Sequence, residues 1–100
     1  MAAVRERLTT IVSIAGVGED AARASIRGLL ERLRREPRVL SAGAAWEPSR
    51  ARLEVTVESE TDGPIADADE AENFQRVWRC AVACLAADAG ALQFDIEGSA

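Results

Sequence analysis

Seven residues near the middle of the chain leave little choice of conformation. Within residues 51–59, Leu53, Val55 and Val57 alternate with Arg52, Glu54, Thr56 and Glu58. Successive side chains of a strand point to opposite faces, so this run is a strand with one oily face and one wet face. A one-residue slip would bury three charges, which pins the register. The pattern suits an antiparallel sheet covered on one side only. The cover is read in the flanking sequence. In residues 19–35, Ala22, Ile26, Leu29, Leu30 and Leu33 recur at the spacing of one buried helical stripe. Glu19 and Asp20 open that helix and Arg32, Arg34 and Arg35 close it, each sign matched to the helix dipole. Pro37 disfavours helix at Glu36 and ends it.

The remaining elements follow from the same two periods. Residues 8–15 are rich in β-branched side chains and put Leu8, Thr10, Val12 and Ile14 on one face. Gly16-Val17-Gly18 breaks that strand. Residues 38–46 form a weaker strand, with Leu40, Ala42, Ala44 and Trp46 on the core face and Val39, Ser41, Gly43 and Ala45 on the other. Gly43 marks a bulge or close packing there. Residues 47–50, Glu-Pro-Ser-Arg, make a hairpin turn with proline at its second position. After a loop over 60–66, a second helix is expected from Asp67 to about Ala89. Asp67 would cap it, with Glu70 three residues on completing a capping-box-like pair. Its stripe reads Phe74, Trp78, Ala81 and Leu85, flanked by Val77 and Ala89, and Gly90 suits the C′ position. Leu92, Phe94 and Ile96 then alternate with Gln93, Asp95 and Glu97 in a last strand, leaving 98–100 as a tail.

The order is βαββαβ in a single α+β domain spanning 1–100. It resembles the ferredoxin-like sandwich: a four-stranded antiparallel sheet, order 4-1-3-2, with two helices on one face. The first and third strands would be central and the second and fourth would be edges. This resemblance covers the whole chain, rests on element order rather than a motif, and says little about activity.

Composition narrows the chemistry. The chain has no His and no Tyr. That removes the commonest general base and metal ligand, and every Ser-His or Cys-His nucleophile pair. All twelve basic residues are Arg, read first as coding bias in a GC-rich genome. No run of about 18 apolar residues exists, and Thr9, Thr10 and Ser13 interrupt the stretch after the charged N-terminus, so neither a span nor a secretory signal is expected. Two Cys give no disulfide framework, and a cytoplasmic protein with reduced thiols is the default. The net charge of −5 is uneven: residues 1–52 carry +4 and residues 53–100 carry −9. Such asymmetry can steer self-association. A basic surface fit for nucleic acid is lacking, and the outward positions of the central strands (Thr9, Ile11, Ser13; Arg52, Glu54, Thr56, Glu58) offer no aromatic on which bases would stack.

Cys80 and Cys84, one turn apart, would need about two further ligands to hold zinc, so Cys84 is expected at the flank of the core and Cys80 nearer solvent. The acidic run from Glu58 to Glu72 lacks the glycine of a calcium loop and opens a helix instead. Neither a metal nor a cofactor is expected. Arg23, Arg27, Arg34 and Arg38 form a basic ridge, either solvated with pairs such as Arg27–Glu31 or docking an acidic surface. Trp78 is expected in the core. Trp46 is expected to pack there too, or else to anchor an interface. Gly16-Val17-Gly18-Glu19 joins a strand to a helix. In ACT-type regulatory domains, which this element order resembles, a loop at that place helps bind amino acids. The resemblance makes Gly16, Val17, Gly18 and Glu19 candidate ligand-binding residues.

Three functions from different classes remain. The first is a non-enzymatic module that self-associates as a homodimer, or docks a protein, through an uncharged second strand. Its candidate interface is Ile11, Val39, Ser41, Gly43, Ala45 and Trp46, because residues 39–45 carry none of the charges or prolines that blunt an edge. The second is a small-molecule sensor of ACT type. The third is a small enzyme using a carboxylate in a dimeric cleft. No catalytic residue is assigned, and neither a nucleic-acid nor a membrane partner is expected.

Overall fold

The computed structural model describes residues 5–85 and 91–100. In chain order the elements are β1 (Arg7–Ala15), α1 (Glu19–Arg35), β2 (Val39–Glu47), β3 (Arg52–Glu60), α2 (Asp67–Cys84) and β4 (Gln93–Ser99). The four strands form one antiparallel sheet in the order β2-β3-β1-β4, the expected order read from the other end. β1 and β3 are central, as expected, and Val12 pairs with Val55 and Ile14 with Leu53. The expected end of α2 at Ala89 and the C′ role of Gly90 lie outside the described residues.

The core forms where the oily faces meet. Val12, Ile14, Leu53, Val55 and Val57 from the two central strands are wholly buried against Ala22, Leu29 and Leu33 of α1 and Val77 and Ala81 of α2. Both helices therefore pack on one face of the sheet. α1 lies chiefly over β2, and α2 chiefly over β1. The opposite face stays open and carries Arg52, Glu54, Thr56 and Glu58, as the alternation requires.

The ends of the elements show small departures. The α1 N-cap is Gly18, and Glu36 closes the helix through its N–H to the Leu33 carbonyl. α2 starts one residue earlier than its acidic residues suggest. Ala66 is the N-cap, and Asp69 at N3 accepts the Ala66 N–H at 2.8 Å. Alanine has no side-chain oxygen, so only the return half of a capping box exists. The β2–β3 turn is likewise displaced by one, with the Ala51 N–H reaching the Pro48 carbonyl and Ala51 at φ +50°. The tail belongs to the sheet, since Thr9 and Ala100 exchange backbone hydrogen bonds at 2.9 Å.

Four expectations about side chains are overturned. Val39 lies against the core and Leu40 is 45% exposed, because the β2–β3 register shifts between Val39 and Ser41. A bulge inserts one residue and swaps the faces on one side of it. Gly43 is not the reason for it, since a Cβ there would meet nothing within 4 Å. On α2, Trp78 is 43% exposed while Cys80 is buried, the reverse of the expectation for both. The stripe runs through Asn73, Val77, Cys80 and Ala81, about 85° from the one read in sequence. The helix is apolar over most of its circumference, so periodicity fixes its facing poorly.

Leu33 and Leu40 separate these readings in a stability experiment. Leu33→Ala is expected to cost about 2–5 kcal/mol, and Leu40→Ala less than about 0.5 kcal/mol, in urea denaturation of the two variants. A large loss at Leu40 would contradict the bulge.

Candidate functional site

The loop between β1 and α1 is shaped by packing. Gly16 has φ +87°, a conformation that side chains rarely adopt, and a Cβ on it would lie 2.1 Å from the Ala91 carbonyl oxygen. The segment entering β4 therefore sits against the glycine. Val17 turns inward against the core. Gly18 is the N-cap without a side-chain cap, and Glu19 accepts the Arg23 Nε–H at 2.8 Å. A carboxylate paired to its own helix occupies the position an anion would take.

The candidate interface residues are dispersed. Ser41, Gly43 and Ala45 lie on the open face of β2, with Ile11 opposite Thr56 on β1. Val39 has turned to the helix side, and Trp46 packs against the core opposite Leu53. The edge they share is not bare. The bulge at Leu40 interrupts its regularity, and the Arg34 guanidinium on α1 donates to the Ala42 carbonyl at 3.2 Å. A bulge and an overlying charge are two of the devices by which a sheet edge is blunted. The expectation of an unprotected second strand is thus corrected.

The open face carries a charge network. Arg50 bonds to Glu97, and Arg52 Nη1 lies 3.5 Å from Asp95, 3.6 Å from Glu97 and 3.2 Å from the Ser13 hydroxyl. Ser13 is buried on this face beneath those side chains. The Ser13 hydroxyl and then Arg50 hold the Glu97 carboxyl below its ordinary value. Ser49, through its hydroxyl and its backbone N–H, does the same for Glu47. Both shifts go down, which suits ion pairs and turn caps and not a proton donor.

A polar groove of 620 Å³ opens between the α1–β2 connection and the outer side of α2, lined by Arg38, Asp62, Asp69, Glu72, Arg76 and Arg79 among others. Its base is a buried chain of hydrogen bonds. Arg76, only 7% exposed, donates to Asn73 Oδ1 at 2.8 Å, and Asn73 Nδ2 donates to Thr10 Oγ1 at 3.1 Å. Ser99 donates to the same Thr10 oxygen. Sequence reading missed Asn73 and Arg76, because a polar residue on a helix counts as solvated unless its partner is known. The groove's charges pair off: Arg38 with Asp62 at 3.4 Å, Arg76 with Glu72 at 3.6 Å, Arg79 with Glu36. Burial, and next the Glu36 carboxylate, push the Cys80 thiol up, so it is held as the unreactive neutral form.

The helix ridge resolves into local pairs. Arg23 meets Glu19 and Arg27 meets Glu31 at 3.5 Å, the expected i to i+4 geometry. In a comparison with known proteins, no family model and no curated protein matches this sequence.

Two outcomes are expected. Gly16→Ala should lower stability by about 1–3 kcal/mol or more, read by denaturation. A neutral result would mean that Ala91 gives way freely. For Glu97 the folded-state carboxyl titrates below its unfolded value of about 4.3. Its contribution is present above that value and lost as pH falls through the folded one. Wild type should lose stability more steeply than Glu97→Gln below about pH 4.5 and in parallel with it above pH 5. Parallel curves down to pH 3 would show the network to be energetically silent.

Proposed function

We propose that this chain is a ferredoxin-like domain that acts as a non-enzymatic module by associating with copies of itself. The element order and the strand order β2-β3-β1-β4 support the assignment of the fold. The observation that carries the function is the placing of the exposed large apolar side chains. Leu40 lies on one edge strand, Ile96 on the other, Ile65 in the loop between β3 and α2, and Trp78 is exposed on the helix that overlies the sheet. Single exposed apolar residues are ordinary, but an exposed tryptophan is of a residue type enriched at interfaces. A cytoplasmic setting accords with two free thiols, Cys80 and Cys84. No helix among the described residues is long and apolar enough to cross a membrane.

The sensor reading has less behind it, because the conformation of Gly16 is accounted for by the approach of Ala91. The enzyme reading has less again, since the resolved carboxylate shifts go down.

Light scattering across a concentration series tests the proposal. A mass of twice the chain, or a rise towards it up to millimolar concentration, is expected. A constant mass of one chain removes the proposal.

A further inference from the structure

The two edges of the sheet differ in a way that selects one of them. β2 is blunted by its bulge at Leu40 and by Arg34 seated on the Ala42 carbonyl. Arg23 and Arg27 lie on the same side of α1 as Arg34. Glu19 and Glu31 offset those two, while Arg34 has no carboxylate partner among the described residues. A two-fold axis along β2 would bring the two Arg34 side chains towards each other, and like charges brought together oppose association.

β4 presents a different margin. Among the described residues it has a neighbouring strand only on the β1 side. Ile96 pairs with buried Val12 and so points to the helix side, yet it is 40% exposed, because α2 rests mainly on β1. Phe94 shares that face and meets Phe74 edge to face, ring centres 6.2 Å apart. Trp78 lies one turn beyond Phe74 on the same flank of α2. Phe74, Trp78, Phe94 and Ile96 thus form an apolar strip beside a strand whose outer edge has no neighbouring strand among the described residues. On the other face of the same strand, the acids Asp95 and Glu97 are balanced by Arg52 and Arg50. The irregularity in β4 falls beyond Ile96, where its pairing with β1 shifts, so residues 93–96 keep regular strand pairing.

An isologous contact must be self-complementary: each patch meets its own copy. A charge-balanced, apolar strip meets that condition, and a margin carrying Arg34, which has no carboxylate partner among the described residues, does not. We infer that two copies of this chain join about a two-fold axis at β4, the two strands pairing antiparallel to continue the sheet and Trp78 and Ile96 of each copy packing against the other. This rests on the self-association proposed above. It moves the contact from the second strand, where sequence reading put it, to the last.

Edge-specific variants test it. Trp78→Glu with Ile96→Glu places charge in the strip at positions that are already two-fifths exposed, and Leu40→Lys places charge on the opposite edge. Circular dichroism and thermal melting confirm that each variant folds. If the double variant does not fold, Ile96→Lys alone takes its place. The β4 variant should weaken dimerisation by roughly 100-fold or more, and Leu40→Lys should leave it unchanged. In a Trp46→Phe background Trp78 is the sole tryptophan, and its emission should move to shorter wavelength as concentration rises. Dimers lost in Leu40→Lys but kept in the β4 variant would overturn the inference and leave self-association standing. Loss in both would mean a head-to-tail assembly and would overturn it too. A monomeric wild type would remove both proposals together.

Discussion

The structure depends on one constraint, the burial of the oily face shared by β1 and β3. Val12, Ile14, Leu53, Val55 and Val57 have no exposure, and each faces a helix. A buried aliphatic side chain contributes roughly 1.5–3 kcal/mol, so these positions outweigh any surface pair in the molecule. They set the sheet register, require both helices to lie on one side, and leave the open face to charge. They also create the unequal margins. With α1 over β2 and α2 over β1, the apolar side of β4 is the part least covered.

Charge plays a smaller and more local part than the sequence suggests. The basic first half and acidic second half read as a device for steering a partner. In the folded chain several arginines of the first half meet acids of the second: Arg5 with Glu60, Arg38 with Asp62, Arg50 and Arg52 with Glu97. These are mostly exposed pairs, each worth at most about 1 kcal/mol. Part of the asymmetry along the chain is thus neutralised within the fold, while the chain keeps a net charge of −5.

How far the fold was legible depended on how lopsided each segment is. β3 alternates apolar with charged residues without exception, and it pairs as expected. α1 has one apolar stripe and arginines opposite, and its stripe is the buried one. α2 carries Phe74, Val77, Trp78, Cys80, Ala81 and Val82 around more than half its surface, so the facing read from its periodicity is off by nearly one residue step. That error hid Asn73 and Arg76, exposed Trp78 and buried Cys80. On β2, small residues gave too weak a contrast to reveal the bulge, so Val39 and Leu40 exchanged faces. The candidate sites suffered most, because a loop glycine reads alike whether it admits a ligand or another stretch of backbone.

The sequence by itself determined the succession of elements, the central place of β1 and β3, and the absence of histidine chemistry. Those follow from periodicity and composition, which act locally. Only the tertiary structure decided that Gly16 serves the approach of Ala91, that Arg34 shields β2, and that Trp78 is exposed while Cys80 is buried. Each depends on residues distant in the chain being brought within a few ångströms, and spacing along a sequence holds no record of that distance.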